Sequence, residues 1–152
     1  MRGDIALFLG LVAVIGGGIV IGVVFLLGGN GGGGNSACDN ALPPLGESDI
    51  SQAGFQAEDA GLARVIQAAT AGDLPAAEDA FYGEVHGFTH NADAPLRPVD
   101  EELARELCRA VIDIEEDLVV DRRVDVIAAD AARIRDLLRD TAEALGYARP
   151  GD

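Results

Sequence analysis

A continuous apolar stretch of 23 residues, at positions 5–27, constrains this chain more than any other feature. It reads IALFLGLVAVIGGGIVIGVVFLL and contains no charged residue, no amide side chain and no proline. At about 1.5 Å per residue, a helix of this length extends about 34 Å, enough to cross a hydrocarbon core of about 30 Å. A helix at the surface of a soluble domain would show a polar face, and this stretch has none. The sequence therefore predicts a transmembrane helix over residues 5–27.

Positive charge near the span predicts its orientation. Arg2 precedes the span, whereas the first Arg after it is Arg64 and the chain has no Lys. Because cytoplasmic flanks carry the positive excess, we expect residues 1–4 in the cytoplasm and the rest on the outer side of the cell membrane. Two alternatives stay open: cleavage as a signal peptide, although the apolar run is longer than usual for one, and lipidation of Cys38.

Two glycines inside the span, Gly18 and Gly22, stand four residues apart. This small-xxx-small spacing lets two membrane helices approach closely. It indicates contact in the membrane with a partner protein or with a second copy of this chain. The alternative is that glycine is simply frequent in membrane helices.

The rest of the chain divides by composition into three parts. Residues 28–48 are rich in glycine and include Pro43 and Pro44, which predicts a flexible linker. Residues 49–148 form one helical domain, and residues 149–152 form a tail. The net charge of −15 argues against nucleic acid as a partner, since both would be negative, and favours cations or basic proteins.

Apolar residues recur every three or four positions in four segments of the domain, and no strand pattern competes. We expect helices over residues 51–71, 74–91, 100–121 and 122–145. Asp73 and Pro75 suit the start of the second helix, while Pro95 and Pro98 predict a loop after it. The predicted fold class is all-α: an N-terminal single transmembrane helix plus an external antiparallel four-helix bundle.

The second predicted helix carries a row of small residues, Ala76, Ala80, Gly83 and Gly87. Glycine within a helix costs about 1 kcal/mol relative to alanine, so close packing is expected to compensate for it. The row therefore predicts a closely packed helix neighbour.

The chain has two cysteines, Cys38 ahead of the helices and Cys108 in the third helix. In an oxidising space, an even pair of cysteines often forms a disulfide. Closing such a loop would stabilise the fold by about 4 kcal/mol in the chain-entropy model. We expect a Cys38–Cys108 disulfide, and the alternative is a buried free Cys108 with an unrelated Cys38.

The two histidines, His86 and His90, stand four residues apart. On a helix this spacing puts both imidazoles on one face, where they can chelate a divalent metal such as zinc or copper. Asp79 and Asp93 lie on the same predicted side and are candidate oxygen ligands, with Tyr82 behind them. The alternatives are that the histidines fill a helix interface or lie on the surface.

The common catalytic patterns are absent. Gly87 follows His86, so there is no HExxH motif, and no CxxCH haem motif occurs. Neither histidine follows a Glu by three residues, as di-iron bundles require. The acidic run over residues 113–117 is assigned to a solvated helix face. We expect a protein without enzymatic activity.

These patterns favour a membrane-anchored, non-catalytic accessory or scaffold protein that docks on an envelope or membrane partner. The alternative is a transition-metal-binding module for sensing, buffering or delivery, which uses His86 and His90. A ligand-binding sensor domain is a third hypothesis.

The scaffold hypothesis predicts the effect of enlarging the glycines in the span. Replacing Gly18 and Gly22 by Leu should prevent close approach of a second membrane helix, so a co-purifying partner should be lost. Affinity purification of the parent and the Gly18→Leu/Gly22→Leu variant measures this. Equal recovery of the partner would contradict a contact through these glycines.

Overall fold

A computed structural model of the protein describes residues 36–151, apart from the side chains at positions 36, 84 and 121. The predicted span over residues 5–27, with Gly18 and Gly22, lies outside these residues. Among the helices that the structure describes, none is both long enough and apolar enough to cross a membrane.

All regular secondary structure in the described part of the chain is helical, and this part contains no strand, which confirms the all-α class for it. The elements in chain order are a 3₁₀ turn (Ser36–Cys38), α1 (Gln52–Thr70), α2 (Leu74–Ala80), a π-helical turn (Phe81–Val85), α3 (His86–Leu96), α4 (Glu101–Glu116), a second π-helical turn (Asp117–Asp121) and α5 (Val124–Ala144).

Polar side chains begin three of these helices. Ser51, Asp73 and Asp100 accept hydrogen bonds of 3.0–3.2 Å from the backbone N–H three residues further on. Each bond satisfies one of the amide groups that the first turn of a helix leaves without a partner. The starts of α1, α2 and α4 therefore follow from local sequence.

The second predicted helix differs from the observed structure in two ways. The π-helical turn Phe81–Val85 interrupts it, and helical structure continues to Leu96 with Pro95 inside the last turn. A proline there removes one backbone hydrogen bond. Leu96 is fully buried, so burial of its side chain favours keeping the turn.

The break between the third and fourth predicted helices lies where it was expected, near residue 121. Here α4 passes into the second π-helical turn, and Arg122 takes a left-handed conformation with φ of 53°. A non-glycine residue rarely adopts this conformation, which redirects the chain without a glycine or a proline. Helix α5 then begins at Val124.

The five helices pack around one core. Helix α1 lies against α5 and α2, and α4 lies against α5 and α3. The core is built from the apolar faces that the sequence predicted, and its fully buried side chains include Phe55, Leu62, Phe81, Leu107, Ile114 and Ile134. The contact between α3 and α4 positions the site described below.

At its two glycines, the row of small residues does not lie against a neighbouring helix. A methyl group added at Gly83 would meet no described atom within 4 Å, whereas one at Gly87 would lie 3.1 Å from the carbonyl oxygen of Leu45. The close neighbour of Gly87 is therefore the backbone of the segment that precedes α1 in the chain. We call this segment, residues 38–48, the strap.

The strap is joined covalently to the helices. Cys38 and Cys108 form a disulfide, with Cα atoms 5.8 Å apart, which confirms the predicted pairing. Both residues are buried, and the described residues include no free cysteine. The part of the predicted linker from residue 38 onward thus lies against the domain.

Two acidic residues of α1 are buried, and they differ in their partners. Asp59 accepts hydrogen bonds of 2.6–2.8 Å from Arg135 and Arg139 of α5. Burial raises its pKa, but these hydrogen bonds outweigh burial and hold the pKa below its usual range. The α1–α5 contact therefore includes a paired buried charge.

Glu58, the residue before Asp59, is not paired with two arginines in this way. Its side chain is 9% exposed, and its Oε2 has no hydrogen-bond partner among the described residues. Burial raises the pKa of Glu58 to about 7, against a smaller lowering effect of the charge of Arg64. The folded state therefore favours the protonated carboxyl group.

Replacing Glu58 by Gln should stabilise the protein at pH 8. Because the folded pKa of about 7 lies above the ordinary value of 4.5, the parent loses stability as the pH rises through this interval. The stabilisation should reach about 3 kcal/mol above pH 7 and vanish near pH 4. Chemical denaturation at several pH values measures it.

The control for this prediction is Glu106→Gln, which removes the same charge from an exposed position of α4. It should leave the pH dependence of the unfolding free energy close to that of the parent. An equal effect of the two substitutions would mean that the change in net charge, not the burial of Glu58, causes the change in unfolding free energy.

Candidate metal centre

The two histidines lie at the start of α3, directly after the π-helical turn Phe81–Val85. Their rings face the same side, with centroids 4.6 Å apart. The sequence predicted this shared face from the four-residue spacing. π-Helical turns are rare, and they occur frequently at functional sites.

The third member of the site is Glu115, near the end of α4. Its Oε1 lies 2.5 Å from Nε2 of His86 and 3.2 Å from Nε2 of His90. One carboxylate oxygen therefore faces both ring nitrogens across the α3–α4 contact. All three side chains are partly buried, with exposed fractions of 15%, 11% and 22% for His86, His90 and Glu115.

His90 has an acceptor oxygen at each of its ring nitrogens. Nδ1 of His90 lies 2.9 Å from the carbonyl oxygen of Pro43, and Nε2 lies 3.2 Å from Oε1 of the Glu115 carboxylate. Because both oxygens can only accept, both nitrogens donate in the metal-free protein, and the ring is an imidazolium. A metal ion at Nε2 would replace that proton, while Nδ1 would keep its hydrogen bond to Pro43. Metal-binding histidines commonly have this arrangement, with the second ring nitrogen bonded to a carbonyl or a carboxylate.

Without a metal, hydrogen bonds connect the Glu115 carboxylate with the two imidazole rings. Burial raises the pKa of Glu115, but hydrogen bonds from His86 and His90 and their charges outweigh it and lower the pKa to about 2. Burial lowers the pKa of His90, but bonding to Glu115 and Pro43 and the negative charges of Glu115 and Asp93 raise it above its usual value. A carboxylate thus stabilises the imidazolium form of His90.

The geometry of the three donor atoms also suits a metal ion. They lie within 4.8 Å of one another. Ligands at about 2.0–2.1 Å from a tetrahedral zinc ion stand roughly 3.3 Å apart, which is close to the His90–Glu115 separation. The shorter His86–Glu115 separation has to widen when a metal replaces the proton. Two imidazoles and one carboxylate form a recurrent ligand set for divalent transition metals.

Tyr82, which was expected behind the histidines, does contact one of them. Its ring packs edge-on against His86, with centroids 5.1 Å apart. Burial raises the pKa of Tyr82 to about 12, helped by the charges of Glu115 and Glu78. The phenol therefore stays protonated at neutral pH and adds a ring contact, not a charge, to the site.

The predicted ligands Asp79 and Asp93 do not join the group of donor atoms. Asp79 is exposed, because the π-helical turn after it adds a residue to one turn and changes the helical phase by about 100°. Asp93 is fully buried on the side that faces the strap, where its Oδ2 accepts hydrogen bonds from the N–H of Leu42 at 2.6 Å and from Arg97 at 3.1 Å.

Glu115 is the member of the candidate site that sequence reasoning missed. It was assigned with residues 113–117 to a solvated face, yet its carboxylate is largely buried. A signal was present: Glu115 follows Cys108 by seven residues and Val111 by four, so it extends a buried row of α4. An acidic residue in such a row has to find a partner in the neighbouring helix.

No protein-family model, curated protein or solved structure is significantly similar to this chain.

Replacing Glu115 by Gln should lower the pKa of His90. The substitution removes the negative charge that stabilises the imidazolium, so the ring should lose its proton at lower pH than in the parent. NMR titration of the His90 ring in metal-free protein measures the change. As a control, Asp79→Asn should leave the titration unchanged, and an unchanged pKa in Glu115→Gln would contradict the described contact.

Proposed function

We propose that this chain is a membrane-anchored, non-catalytic protein whose extracytoplasmic domain binds one divalent transition metal ion through His86, His90 and Glu115. The domain is proposed to be an antiparallel four-helix bundle in which α2 and α3, joined by the π-helical turn, count as one interrupted helix. The observation that carries the proposal is the convergence of three donor atoms from two helices within 4.8 Å. Spacing along one helix could bring the histidines together by chance. The third donor comes from another helix, 25 residues away from His90.

Three protein ligands leave one position of a tetrahedral ion open. Structural zinc sites are closed by four protein ligands, whereas sites with three protein ligands keep a position for water or another molecule. The side chains of His86 and Glu115 are partly exposed, so an ion can reach them from solvent. These features favour buffering, delivery or sensing of the metal.

The ligand types narrow the choice of metal. Imidazole nitrogen suits zinc and divalent copper, whereas monovalent copper prefers sulfur ligands. In the described part of the chain both cysteines are joined in the disulfide and so offer no thiolate. We therefore propose Zn²⁺ or Cu²⁺ as the bound ion. The negative charge of the chain, −15, would attract either cation toward the domain.

Two features support the proposed location. The apolar stretch over residues 5–27 is long enough to anchor the chain in the cell membrane. The Cys38–Cys108 disulfide suits an oxidising space outside the cytoplasm, because thiols in the cytosol are usually kept reduced. The proposed arrangement therefore has the N-terminus in the cytoplasm and the metal site outside.

The second candidate is the accessory or scaffold function. The second π-helical turn favours it, because Val119 and Val120 stand side by side there with exposed fractions of 62% and 68%. Adjacent exposed apolar side chains are suited to contact with another protein. The substitutions at Gly18 and Gly22 test this candidate, and it is compatible with a metal-dependent partner.

Metal titration tests the leading proposal. The full-length parent should bind one equivalent of Zn²⁺ with a dissociation constant in the micromolar range or tighter. His90→Ala and Glu115→Gln should each weaken binding at least 10-fold, because each removes one of three ligands. Isothermal titration calorimetry gives both stoichiometry and affinity, and circular dichroism verifies that the variants remain helical.

Asp79→Asn is the matched control, since it removes a carboxylate of the same helical segment that lies outside the group of donor atoms. It should bind like the parent. Binding that survives Glu115→Gln but is lost in Asp79→Asn would contradict the described site, and absence of binding by the parent would contradict the proposed function.

A further inference from the structure

The strap lies alongside α3 and is attached to it by side-chain hydrogen bonds. Asn91 accepts a hydrogen bond from the N–H of Leu45 at 2.9 Å and donates to the carbonyl of Leu45 at 3.1 Å and to Ser48 Oγ at 2.8 Å. Asp93 accepts from the N–H of Leu42. These two residues of α3 bracket the strap on both sides of Pro43.

Pro43 lies between these attachments, and its carbonyl oxygen meets Nδ1 of His90. A backbone carbonyl can orient an imidazole only while the backbone itself stays in place. Asn91 and Asp93 therefore position His90 indirectly, because they hold the part of the strap that its ring nitrogen contacts. Neither residue is among the donor atoms of the site.

The disulfide attaches the strap to α4, the helix that carries Glu115. Cys38 is bonded to Cys108 of α4, seven residues, or about two helical turns, before Glu115. Arg97, directly after α3, also donates to the carbonyl of Cys38 at 3.1 Å. One covalent link therefore connects the backbone that orients His90 with the helix that carries Glu115.

We propose that the strap and its disulfide control the metal affinity of the site, so that reduction of Cys38–Cys108 releases the metal. The inference depends on the proposed metal-binding function. Reduction requires a dithiol, which supplies two electrons and two protons and becomes a disulfide, and leaves thiols at Cys38 and Cys108. The strap then keeps only its hydrogen bonds, so the carbonyl of Pro43 is held less firmly against His90.

The expected size of the effect follows from known metal sites. Loss of the group that orients a metal-binding histidine typically lowers metal affinity about 10- to 100-fold. The same range is expected here, because the three ligands stay in the chain and only the orientation of one is lost. The metal should therefore remain bound in an oxidising space and leave when a dithiol acts on the protein.

Competition titration of Zn²⁺ with a chromophoric chelator, on the full-length chain, tests the inference. Cys38→Ala/Cys108→Ala removes the covalent link, and Asn91→Ala loosens the strap while the disulfide stays intact. We expect the dissociation constant to rise about 10- to 100-fold in the first variant and in the same direction in the second. Asp59→Asn is the control, since it weakens the α1–α5 contact without touching the strap, and it should bind within twofold of the parent.

A second readout separates positioning from general loss of stability. In metal-free parent, ¹⁵N NMR should show the Nδ1–H proton of His90 protected from exchange with water by its hydrogen bond to Pro43, and both strap variants should lose this protection. Asp59→Asn should keep the protection. This readout also applies to Asn91→Ala alone if the double cysteine variant does not fold.

The outcomes distinguish the two proposals. If the parent does not bind Zn²⁺, the proposed function is wrong and redox control of the metal is wrong with it. If the parent binds Zn²⁺ and both strap variants bind it equally well, the metal site stands and the control by the strap is overturned. An equal loss of affinity in Asp59→Asn would also overturn it, because stability alone would then explain the effect.

Discussion

The site depends on one carboxylate that is largely buried between two helices. Burial of the Glu115 carboxylate between α3 and α4 is tolerated because both histidines of the chain direct their Nε2 atoms toward its Oε1. A carboxylate transferred from water into a protein interior without such partners would be strongly disfavoured. This mutual requirement specifies how α3 and α4 meet, and it brings together donor atoms that are far apart in sequence. Without a metal the group shares protons, and with a metal it would share the ion.

The surroundings of the site favour a defined metal-binding geometry. The strap gives His90 a backbone carbonyl at Nδ1, and the disulfide fixes the strap to α4. Two buried carboxyl groups elsewhere in the domain differ in their partners. Asp59 is paired with two arginines, whereas Glu58 is buried without a comparable partner. A buried carboxyl that favours its protonated form lowers stability at neutral pH. Oε1 of Glu115, in contrast, has two partners, His86 and His90.

Much of the fold could be predicted from local sequence, and the candidate site only in part. Helix periodicity, the caps at Ser51, Asp73 and Asp100 and the spacing of His86 and His90 are short-range properties, and the structure agrees with them. The disulfide could also be predicted, since only two cysteines are present. Glu115 could not be identified as a partner because its approach to the histidines depends on how α3 and α4 pack.

The errors have a common origin in assumptions of local regularity. A helical wheel places Asp79 beside His86 only if the helix is regular, and the π-helical turn breaks that regularity. Similarly, glycine content and paired prolines predicted a flexible linker through residue 48, whereas hydrogen bonds from Asn91 and Asp93 attach residues 42–48 to α3. Those contacts join residues more than 40 positions apart, beyond the range of any local pattern.

The most direct test of this account is X-ray absorption spectroscopy of the Zn²⁺-loaded full-length protein. It should show nitrogen and oxygen ligands at about 2.0–2.1 Å, with the multiple-scattering signature of two imidazoles and no sulfur. In Glu115→Gln the two imidazoles should remain and one oxygen should be lost or replaced by water. A spectrum with sulfur ligands, or with fewer than two imidazoles, would contradict a metal site built from His86, His90 and Glu115.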